Sequence, residues 1–146
     1  MNTELVLEIP NDVHAIEEVV RYVVEQCPCC EENARKLQLN FRVGLTEALS
    51  NAILYGNGRD PSKRVRVEVA VQSAKVTARV TDEGNGFDPT AIPDPTLPRN
   101  RQRVGGRGLF LMRQLMDEVR FNERGNSVTL ILRLPSGNRL GGGVEA

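Results

Sequence analysis

The chain has 146 residues, 40% of them hydrophobic, which is enough for one domain with a proper core: burial on folding reaches roughly 68–70% of the unfolded surface near this size. Nineteen basic and 19 acidic side chains cancel, so no global field collects nucleic acid or an anionic membrane, and any charge-driven function is local. No stretch approaches the ~20 apolar residues of a membrane span, and MNTELVLEIP lacks the basic and apolar regions of a secretory leader, so a cytoplasmic protein is expected.

ELVLEI, residues 4–9, alternates Leu5, Leu7 and Ile9 on one face, as a half-buried strand does. Asp12 is placed to cap a helix whose apolar positions Val13, Ile16, Val19, Val20, Val23 and Val24 recur at helical spacing. The helix is expected to stop near Cys27, before Pro28. Cys27, Cys29 and Cys30 crowd into CPCC with no second cluster, and His14 is distant in sequence, so a reduced loop is favoured over a zinc or redox site. A second helix is predicted from Leu37 to Leu54, with Phe41, Leu45, Ala48, Leu49 and Ala52 as its stripe and Gly56 just past its end.

RVRVEVAVQ and the run through Val76, Ala78 and Val80 alternate on either side of a short turn, which predicts a β-hairpin. The proline-rich FDPTAIPDPTLPRN reads as a loop, and GGRGLFLMRQLMDEV returns to helical spacing through Leu109, Met112, Leu115 and Met116. EVRF and SVTLILRL read as strands joined at Arg124, Gly125 and Asn126. The expected domain ends near residue 135, and residues 136–146 carry too few apolar groups to pack. This order predicts an α+β fold: a two-layer α/β sandwich whose mixed, mostly antiparallel sheet is covered on one face by about three helices.

Three constellations carry chemistry. In LTEALSNAILYGN, Glu47 and Asn51 sit one helical turn apart on the flank away from the apolar stripe, where oxygen ligands suit a hard cation and a carboxylate suits proton transfer. In DEGNGF, Asp82 follows a strand and can accept from an exocyclic amine, while Gly84 and Gly86 let backbone approach a flat ring; an ordinary turn would use the same residues. In RQRVGGRGLFLM, Gly105, Gly106 and Gly108 open a helix whose free N–H groups and dipole suit polyphosphate. Arg99, Arg101, Arg103 and Arg107 add a local basic patch there.

Together, Glu-x-x-x-Asn on a helix, Asp-x-Gly-x-Gly after a strand and a proline-rich segment ending in Gly-x-Gly resemble the Bergerat-type nucleotide fold of the GHKL, or histidine kinase-like, ATPases. Within that superfamily the chain resembles the anti-sigma factor serine-protein kinases of bacterial partner switching, over roughly residues 5 to 134.

The resemblance implies ATP and Mg²⁺ as cofactors. Asp82 would bind the adenine amino group, Gly84 and Gly86 would give the base room, and Asn51 would hold Mg²⁺. Glu47 would be the general base, and Gly105, Gly106 and Gly108 would wrap the phosphates beneath a lid from about Asp88 to Val104. One of Arg103 and Arg107 would neutralise the transferring phosphoryl group, with the spacing leaving both open. Where the family usually carries a threonine near the adenine, this chain has Asn126, followed by Ser127. The implied partners are a serine-bearing anti-anti-sigma (STAS-type) protein, a sigma factor and a second copy of the chain in a homodimer. A nucleotide-gated binding module without phosphotransfer is the rival reading, against which Glu47 argues. The lone histidine, His14, and the short chain speak against a histidine kinase or a gyrase-type ATPase.

Overall fold

In the computed structural model, which describes residues 3–27, 31–72, 74–84 and 106–134, five strands share one sheet. They are β1 (Thr3–Pro10), β2 (Arg64–Gln72), β3 (Lys75–Thr81), β4 (Glu118–Phe121) and β5 (Ser127–Arg133). Their order is β1-β2-β3-β5-β4 and every pairing among the described residues is antiparallel, in keeping with the mostly antiparallel sheet expected. The chain reaches β5 through a helix and the β4–β5 hairpin, and the hairpin's reversal sets β5 antiparallel to β3.

Alternation explains which face is covered. Val65, Val67, Val69 and Val71 of β2, Val76, Ala78 and Val80 of β3, and Val128, Leu130 and Leu132 of β5 are all buried. Register stacks them as Val67↔Val80, Val69↔Ala78 and Ala78↔Leu130 beneath the helices. The other face is polar, with Arg66 and Arg79 paired to Glu68, and Arg120 and Arg133 to Glu118.

Asp12 caps as expected: its Oδ1 accepts the His14 N–H at 2.9 Å and starts a 3-10 turn that leads into α1 (Ile16–Gln26). The second helix is longer than its pattern suggested. It begins as α2 (Glu31–Arg35), widens to π geometry over Lys36–Phe41, returns to regular α3 (Arg42–Asn51) and widens again over Ala52–Gly56. Gly56 is thus the last residue of the helix, and its role lies in the contact described below.

The wide turns have a packing reason. Leu37, Phe41, Leu45, Leu49 and Ile53 are all almost fully buried at intervals of four. A regular helix rotates such a row by about 40° per step. Wider turns at both ends undo part of that drift and keep the row on the sheet. The last helix, α4 (Gly106–Leu115), buries Leu109 and Met112, with Met116 buried just beyond it.

Candidate functional site

The long helix presents a second row toward α4. Asn40 donates its Nδ2–H to the Leu115 carbonyl at 2.9 Å, and a Cβ placed on Gly44 would lie 2.9 Å from Met116 Sδ. Further along, a Cβ on Gly108 would lie 3.0 Å from both Glu47 Oε1 and Asn51 Nδ2. The two helices therefore run in opposite directions along a seam of Asn40, Gly44, Glu47 and Asn51, and Gly108 is the point where α4 lets both polar side chains stand beside its backbone. Glu47 and Asn51 are half-buried there, as their helical spacing predicted.

Gly106 opens α4, as expected. Gly86, Arg103, Gly105, the lid and the tail lie outside the described residues, as do Cys29, Cys30 and the side chain of Arg107. Cys27 is buried with its Sγ donating to the Val23 carbonyl at 3.3 Å. No group of three or more His, Cys, Asp or Glu among the described residues is arranged to hold a metal.

The other end of the site is a strap, residues 82–84, that leaves β3. Asp82 Oδ1 accepts the Gly84 N–H at 2.8 Å. A Cβ on Gly56 would fall 2.2 Å from Asp82 Oδ2, and one on Gly84 only 1.7 Å from the Gly56 carbonyl oxygen. The end of the long helix and the strap thus touch backbone to backbone, which no side chain at either glycine permits. Burial holds the Asp82 carboxyl above its usual range, opposed by the Gly84 N–H and by the charges of Lys63 and Arg124. Among the described residues it is the one carboxyl with a resolved upward shift. A partly desolvated carboxylate is a strong acceptor for an incoming N–H.

Motif spacing missed the residues that hold the strap. Asn57 is buried with all its polar atoms satisfied: Oδ1 accepts the Glu83 N–H at 2.7 Å, and Nδ2 donates to Asn11 Oδ1 and the Arg64 carbonyl, each at 3.0 Å. Across the strap, the Asp82 N–H donates to the Asn126 carbonyl at 2.9 Å, and Asn126 Nδ2 returns a bond to the Asp82 carbonyl at 3.2 Å. Asn126 therefore stands at the strap. Ser127 instead bonds Thr81 at 2.9 Å. The one available signal for Asn57 was its position directly after a glycine that closes a helix.

Beside this site, a groove of about 670 Å³ runs between α1 and the neighbouring flank of α3, with Ile16, Val20 and Leu54 on its walls and Arg42 and Arg59 among its polar residues.

The chain belongs to the histidine kinase-like ATPase domain family, whose model matches residues 9–132. It is similar to the serine-protein kinase RsbW of Oceanobacillus iheyensis, at 28% identity over 58% of each chain. It also resembles RsbW of Bacillus subtilis, at 26% identity over 69% of this chain and 67% of that one, and the anti-sigma F factor of Clostridium beijerinckii, at 25% over 91% and 92%. The match spans about three fifths of the length of the Oceanobacillus and Listeria RsbW proteins. Among solved structures, the RsbU and RsbW domains of Rv1364c from Mycobacterium tuberculosis superpose with a TM-score of 0.50 at 14% identity, over 91% of this chain and 32% of that one. That likeness supports the fold.

Proposed function

We propose that the chain is an ATP-dependent serine-protein kinase and anti-sigma factor of bacterial partner switching. It would phosphorylate a serine of an anti-anti-sigma (STAS-type) partner and sequester a sigma factor. The observation that carries this reading is the joint placement of Glu47 and Asn51 against Gly108, with Asp82 on the strap that packs against the far end of the same long helix. That pairing gives a site with a base-reading end and a chemical end.

The residues present fit the cofactors. Asp82 is an acceptor for the adenine amino group, while the missing Cβ of Gly84 is what lets the strap meet the Gly56 carbonyl. Asn51 supplies an amide oxygen suited to Mg²⁺, which typically keeps few protein ligands and binds chiefly through phosphate and water. When bound, Mg-ATP supplies the phosphoryl group and the charge that neutralises it. Glu47 orients the acceptor serine hydroxyl and takes its proton as the serine oxygen bonds to phosphorus and the bond to the ADP oxygen breaks. Gly105, Gly106 and Gly108 would line the phosphates through backbone N–H groups, Gly86 would flank the base, and Arg103 or Arg107 would face the transferring group.

We assign the chain to the cytoplasm and to a homodimer; β1 is an outer strand of the sheet and leaves Val6 58% exposed. Among the described residues, no helix is long and apolar enough to cross a membrane.

Titration calorimetry with Mg-ATP, followed by phosphorylation of a serine-bearing acceptor, tests the proposal. Glu47→Ala is expected to keep ATP binding and abolish transfer. Unchanged control of the partner by that variant would favour a nucleotide-gated binding module instead.

A further inference from the structure

We infer that the β4–β5 hairpin, through Asn122 and Arg124, is a positioning device for the base-reading acid, a role that none of the three sequence constellations contains. The inference rests on Asp82 as the adenine contact. Asn122 Oδ1 accepts three successive backbone N–H groups, those of Gly125, Asn126 and Ser127, at 2.8, 3.1 and 3.2 Å. Gly125 turns the chain at φ 76°, a conformation that favours glycine. The same Asn122 amide donates from Nδ2 to Asn126 Oδ1 at 2.7 Å.

That last bond sets the sense of the Asn126 amide. With Oδ1 taken by Asn122, the nitrogen end faces the strap and reaches the Asp82 carbonyl. Arg124 adds a third tie, its Nη2 donating to the Gly84 carbonyl at 3.3 Å. Asp82 and Gly84 are thus held from the hairpin side by the Asp82 N–H, by Asn126 and by Arg124, while Asn57 holds Glu83 between them. An amide can turn either end to the strap, and Asn122 fixes which one faces it.

The test compares ADP with inosine diphosphate, which lacks the amino group, by titration calorimetry on the full chain, with thermal unfolding of each variant. Asn122→Asp keeps an oxygen for the three N–H groups but cannot donate to Asn126, so its amide turns and sets an oxygen against the Asp82 carbonyl. The variant is expected to unfold in one cooperative transition a little below the native protein and to bind ADP about tenfold more weakly, with inosine diphosphate unchanged, on the scale of one misplaced hydrogen bond. Arg124→Ala, which removes an exposed side chain, is expected to weaken ADP about threefold with the same selectivity. Native ADP affinity in both variants, or equal losses for the two nucleotides, overturns the positioning role. If the native chain itself fails to prefer ADP, the adenine reading of Asp82 falls and takes the inference with it.

Discussion

Asn57 shows how one buried amide serves two ends of a fold. Its oxygen holds the strap, and its nitrogen ties the start of β2 to Asn11, whose own Nδ2 donates to the Asp60 carbonyl at 2.9 Å. Replacing Asn57 with Ala strands an N–H and a carbonyl at once, so a stability loss of about 2–3 kcal/mol is expected in denaturant titration, with weaker ATP binding from the loosened strap. Asp82 makes the opposite bargain. Because its folded pKa is raised, the stability it contributes is full below its unfolded pKa and is lost as pH rises through the folded value. Asp82→Asn should therefore melt higher than the native protein near about pH 7, the gap closing toward about pH 4, while losing ATP affinity. The carboxylates Asp12, Asp60 and Glu118 run the other way: each is lowered by hydrogen bonds to a neighbour, and each loses its contribution as the solution is acidified.

At the scale of elements, the α3–α4 seam decides whether the proposed chemical end forms. Gly108→Ala places a methyl group 3.0 Å from Glu47 Oε1 and Asn51 Nδ2, tighter than ordinary van der Waals contact. The neighbours must give by a few tenths of an ångström, so phosphotransfer is expected to fall by about tenfold or more while the melting temperature changes little; paired activity and unfolding assays check this. Glu47 and Asn51 were legible in the sequence because a regular helix makes residues four apart into neighbours. The seam was not, since an isolated Gly44 carries no periodicity. The start at Glu31 was hidden for a related reason: Glu31, Glu32 and Asn33 precede the apolar row and add nothing to it.

For the whole molecule, alternation and turn chemistry made every strand readable, from the flawless RVRVEVAVQ to the glycine at the β4–β5 turn. The tight turns fixed direction within the β2–β3 and β4–β5 pairs, but the strand order was not readable, because it depends on how the connections pack. The strap contacts were equally hidden: Gly56 meets Asp82 across a sequence gap that no short motif spans. Since one helix carries or touches both ends of the site, nucleotide should stabilise the domain as a unit. Mg-ATP at about a hundred times its dissociation constant should add about 2.7 kcal/mol and raise the melting temperature in one cooperative transition. A separate early transition that nucleotide leaves unmoved would contradict this.

The two wide turns of the long helix bear on how such a chain can change over generations. They bracket the regular segment that carries Glu47 and Asn51, and they already hold the irregularity that a gained or lost residue creates. A single-residue deletion in Lys36–Phe41 could tighten that turn to ordinary helix without rotating the polar pair, whereas the same deletion between Glu47 and Asn51 would swing one of them about 100° away from α4. Length variation in this helix is therefore tolerable at its ends and forbidden in its middle.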